Sequence, residues 1–72
     1  MTTLDARACL LHRLDEVQRL CPDMRIGQFL ATVAMLGEES TGRTLWDIED
    51  EELLRVMEKH RADLLRRQHA DA

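Results

Sequence analysis

Leu4, Leu10, Leu11, Leu14 and Val17 recur at spacings of three, four and seven residues over the first twenty positions. This 3.6-residue repeat predicts an amphipathic helix over residues 3–20, with Ala8 at the margin of its apolar side and Thr2 or Thr3 as its cap. Pro22 ends that pattern, because proline brings no amide proton to a helix interior. Asp23 predicts the N-cap of a second helix over 24–36. The link between them is short, so the two are expected to be antiparallel neighbours.

The second segment is apolar over most of its circumference. Ile26, Phe29, Leu30, Val33 and Leu36 form a broad arc, and Gly27, Ala31 and Ala34 line a flank of small residues that another helix could approach closely. A glycine costs about 1 kcal/mol relative to alanine inside a helix, so Gly27 implies a close contact or a place in the helix entry. Gly37 and Gly42 bracket a polar stretch, 38–41, that predicts the most mobile internal loop. Leu45, Trp46 and Ile48 then lead into a third helix over 48–67, capped by Asp47 or Asp50. Its apolar face carries Leu53, Val56, Met57, Leu64 and Leu65. Acids crowd its first turn and arginines its last, as the helix dipole favours, and Glu51/Arg55 and Asp63/Arg67 are spaced for i,i+4 pairs. Residues 68–72 are expected to fray. The pattern contains no strand alternation and no internal repeat. It predicts an all-α fold, a small three-helix bundle forming one domain over 1–72.

Length sharpens this picture, because a chain of 72 residues buries only about 60% of its unfolded surface and gains from association. The aromatic residues are Phe29 and Trp46 alone, so the core must be aliphatic. A net charge of -4 opposes attraction to a phosphate backbone and argues against a nucleic-acid partner. No apolar run approaches the roughly 20 residues of a membrane span, and the N-terminus has no charged region followed by a signal core. A cytoplasmic location and no membrane partner are therefore expected. On one helix Cys9 and Cys21 would lie about 18 Å apart at 1.5 Å per residue, well beyond the limit of about 7 Å for a disulfide.

Four groups of residues have chemical potential. Asp5, Cys9, His12 and Glu16 are spaced by four, three and four residues on one stripe of the first helix. They could offer metal ligands, but a zinc site draws converging groups from more than one element, and no second Cys/His pair is present. A solvated face is the ordinary reading, and no metal or cofactor is expected. His60 falls on the apolar arc of the third helix without a nucleophile in any recognisable motif, as a half-buried histidine would. Arg25, Gln28, Thr32 and Met35 share one side of the second helix. They are candidates for a partner-binding stripe, in which Met35 gives adaptable apolar contact, unless Arg25 instead pairs with the acids of residues 47–52. That acidic block lacks the spacing and glycine of a calcium loop and suits a helix start. Trp46, ahead of that helix, is expected to close the core, with an interface hot spot as its alternative.

The elements Pro22-Asp23-Met24-Arg25-Ile26-Gly27-Gln28 and Trp46-Asp47-Ile48-Glu49-Asp50-Glu51-Glu52-Leu53 resemble those of a group of small bacterial helical proteins of unknown function. That group pairs a Pro-Asp-apolar-Arg-apolar-Gly-Gln element with an acidic helix start, over about the central half of this chain. The resemblance implies no activity. It implies that Asp23, Arg25, Gly27, Gln28 and Trp46 act together. The expected function is a non-enzymatic protein–protein interaction module that self-associates as a homodimer or binds another protein. The alternatives are a nucleic-acid-associated regulatory adaptor using the arginines at 61, 66 and 67, and a metal-dependent enzyme using the first-helix stripe.

Overall fold

A computed structural model describes residues 2–70 of the chain. Among them, three α-helices and no strand form a bundle: α1 at Thr3–Arg19, α2 at Ile26–Thr41 and α3 at Asp50–Ala70. A single 3-10 turn at Leu45–Asp47 precedes α3. None of these helices is long and apolar enough to cross a membrane.

The first helix starts where its chemistry dictates. Thr2 accepts a hydrogen bond from the Asp5 amide at 3.2 Å, and the Asp5 carboxylate accepts the Thr2 amide at 3.3 Å. This reciprocal box satisfies two amides that no helical carbonyl can reach. Near the other end, Arg19 and Gln18 donate to Asp15 and hold its carboxyl below the ordinary range. The start of α2 departs from expectation, because Asp23 lies two residues outside the cap position and Arg25 occupies it. A guanidinium has no acceptor to offer. The cap is closed from the other side, the Arg25 amide donating to Gln28 Oε1 at 2.9 Å.

The end of α2 also differs from the expected loop. The helix continues through Gly37 to Thr41 and stops at Gly42, which takes the left-handed conformation at φ 73° and donates its amide to the Glu38 carbonyl. Gly37 is inside the helix because of packing. A Cβ there would stand 2.9 Å from Ile48 Cδ1 and 3.2 Å from Leu53 Cδ1. The third helix begins at Asp50, with the Leu53 amide bonded to the Glu49 carbonyl. Glu49 thus takes the cap position expected of Asp47 or Asp50. The helix runs on through Gln68 and His69 to Ala70, where fraying was expected; residues 71 and 72 lie outside the described residues.

The helix pairing corrects another expectation. The main partner of α1 is α3, and α2 leans chiefly on α3. Arg7 reaches Asp50 at 3.4 Å, Arg13 approaches Glu58 at 4.0 Å, and Arg61 donates to Glu16 at 3.1 Å. Sequence separations of 43 and 45 residues at the outer contacts mean that α1 and α3 run parallel. The chain must therefore return through α2. Its C-terminal end, at Gly37, meets the beginning of α3.

One cluster unites Leu10 and Val17 of α1, Phe29 and Val33 of α2, and Leu54 and Met57 of α3. Val17 and Met57 are its largest fully buried side chains. Leu14, Leu36, Leu53, Val56 and Leu64 pack around it partly buried. Leu4, Leu11, Ile26 and Leu30, all expected in the core, are exposed instead. Each helix has too few neighbours to cover its whole apolar arc. Ala6 is fully buried in place of Ala8, which is exposed. The expected pairs Glu51/Arg55 and Asp63/Arg67 are absent among the described residues, and Asp63 pairs with Arg66 instead.

His60 is half-buried, and burial, reinforced by the charge of Arg67, pushes its pKa below the ordinary 6.5. The unfolded chain then takes up this proton at a higher pH than the fold does, so the group costs stability as pH falls through 6.5 toward the folded value. We predict that His60→Gln flattens the loss of stability between about pH 7 and 5.5 in urea titrations; an unchanged slope would contradict it. The glycines give opposite predictions. Gly37→Val should lose about 2 kcal/mol by overpacking. Gly27→Ala, whose Cβ meets nothing within 4 Å, should gain about 0.5 kcal/mol from helix propensity and chain entropy.

Candidate interaction face

The turn between α1 and α2 is built by local hydrogen bonds. The Met24 amide bonds to the Cys21 carbonyl at 3.1 Å, Gln28 closes the start of α2, and Thr32 Oγ1 donates to the Gln28 carbonyl at 2.8 Å. Thr32 Oγ1 also lies 3.9 Å from Met24 Sδ, so Met24 folds back over the first turns of α2. Leu20, Cys21, Pro22, Asp23, Met24 and Gln28 line an open depression of about 400 Å³ at this corner. It holds one acid and no cation. Gln28 of the Pro-Asp-apolar-Arg-apolar-Gly-Gln element thus has a structural task, closing a helix whose cap residue cannot do so itself.

Beyond that turn, α2 leaves several large apolar side chains uncovered. Phe29, Val33 and Gly37 point into the bundle, whereas Ile26, Leu30 and Met35 are 64%, 55% and 52% exposed. Ala31 is exposed between them. Gly27 sits in the first turn with open space around it, so no contact within the fold accounts for its lack of a side chain. Arg25 has no carboxylate within ion-pair distance among the described residues. Of the acids expected to hold it, Asp50 is taken by Arg7 and Glu52 by Arg43.

Trp46 corrects the expectation that it closes the core, being 94% exposed. Its exposure is not slackness of the turn that carries it. The Asp47 amide bonds to the Thr44 carbonyl at 2.9 Å, and the Leu45 amide to Glu38 Oε2 at 3.3 Å. Ile48, two residues on, is buried against Gly37. With Ile48 directed inward, the indole is left facing water. The sequence offered one signal of this, since either Trp46 or Ile48 had to anchor so short a segment.

The first-helix stripe does not assemble a site. Asp5 is occupied in the N-terminal box, and Glu16 bonds Arg13, His12 and Arg61. Cys9 is exposed, and both Cys9 and Cys21 are free thiols. Among the described residues no three His, Cys, Asp or Glu side chains are grouped to hold a metal ion. Of the cations named for nucleic-acid contact, Arg61 pairs across the bundle with Glu16, and Arg66 pairs within its own helix with Asp63. The ion pairs linking α1 to α3 had no signal in the sequence, because nothing local to either partner identifies the other.

Comparisons with protein-family models, with curated proteins and with solved structures returned no match. The exposed apolar residues of α2 and Trp46 are the features that bear on function. Because the indole makes little use of the fold, Trp46→Ala should leave unfolding free energy within about 0.5 kcal/mol of the parent chain. A loss of about 3 kcal/mol or more, the scale of a core tryptophan, would contradict this placement.

Proposed function

We propose that this protein is a non-enzymatic interaction module that docks through the outward face of α2, with a second copy of the chain as its partner. The observation that carries this reading is that α2 covers only part of its apolar surface. It buries Phe29 and Val33 against the bundle and leaves Ile26, Leu30 and Met35 in water. Covering such side chains is worth about 25 cal/mol for each Å² removed from water. The described residues do not supply that cover, and a second molecule can.

The residues suit such a role. Met35 adapts to an opposing surface through its flexible thioether. Arg25 brings a planar cation, without an ion-pair partner among the described residues, to the end of the same helix. Trp46 adds a large amphipathic side chain on an anchored turn, the kind of residue that dominates interface energies. The two free thiols fit a reducing compartment, and with it a cytoplasmic place of work.

Native mass spectrometry of untagged protein, gently purified from its own cells, tests this directly. A defined homo-oligomer is expected, and a bare monomer up to high micromolar concentration would contradict it. Leu30→Ser is predicted to weaken association at least tenfold while changing the stability of the isolated fold by no more than about 0.5 kcal/mol. Unchanged association in that variant would place the interface elsewhere.

A further inference from the structure

We draw no further inference here: the strongest candidate, the surface patch formed by Trp46 on the turn before α3 and the acids that open that helix, carries nothing, because nothing in the structure shows what covers it.

Discussion

The parallel alignment of α1 with α3 is the constraint from which the rest of the molecule follows. Val17 and Met57, the largest side chains fully withdrawn from water, belong to these two helices. Ion pairs from Arg7 to Asp50, Arg13 to Glu58 and Glu16 to Arg61 line their seam. Partly exposed pairs of this kind are each worth only about 0–1 kcal/mol, so the apolar cluster provides the cohesion. The charges decide direction. Reversing α1 along α3 would bring Arg7 toward the level of Arg61 and Glu16 toward the acids that open α3. Like charges would then meet at both ends, which selects the parallel arrangement even though each contact is weak.

A parallel pair cannot be joined by a short loop, so α2 is committed to carrying the chain back along one side. That role explains its divided character. One face, with Phe29 and Val33, completes the core, and its close approach at Gly37 leaves room for Ile48 and Leu53. Anchoring Ile48 there fixes the short turn before α3 and directs Trp46 outward. With α1 held mainly by α3, the described residues leave Ile26, Leu30 and Met35 more than half exposed. The exposed apolar surface is thus a consequence of topology, and it is the surface on which a second molecule would be built.

Much of this architecture was legible in the sequence, and the exceptions share a physical cause. The number of helices, the first-helix cap at Thr2 and the central positions Leu10, Val17, Phe29, Val33 and Met57 follow from periodicity and capping chemistry, which are local. Gly37 reads as a stop signal until its neighbour Ile48 is known, because a packing glycine and a terminating glycine look alike in one dimension. Leu11 and Leu30 lie on apolar arcs wider than their helices can bury, and which edge of an arc is covered depends on the crossing of three helices. Of the proposed interaction residues, Gln28 proves to be a cap, Gly27 and Met35 are exposed as a docking face needs, and Trp46 is outside the core. The pairing of Arg25 could not be read from charge alone, since Arg7 and Arg43 compete for the same acids.

Amide hydrogen exchange followed as a function of protein concentration separates contacts within one molecule from contacts between two, because it reports each helix of the intact chain. If the uncovered face of α2 is a docking surface for a second copy, protection across residues 26–39 rises with concentration while the α1·α3 pair, already closed within one molecule, stays constant. Exchange in α2 that is independent of concentration, or protection that grows in α1 and α3 while α2 stays unchanged, would contradict the account.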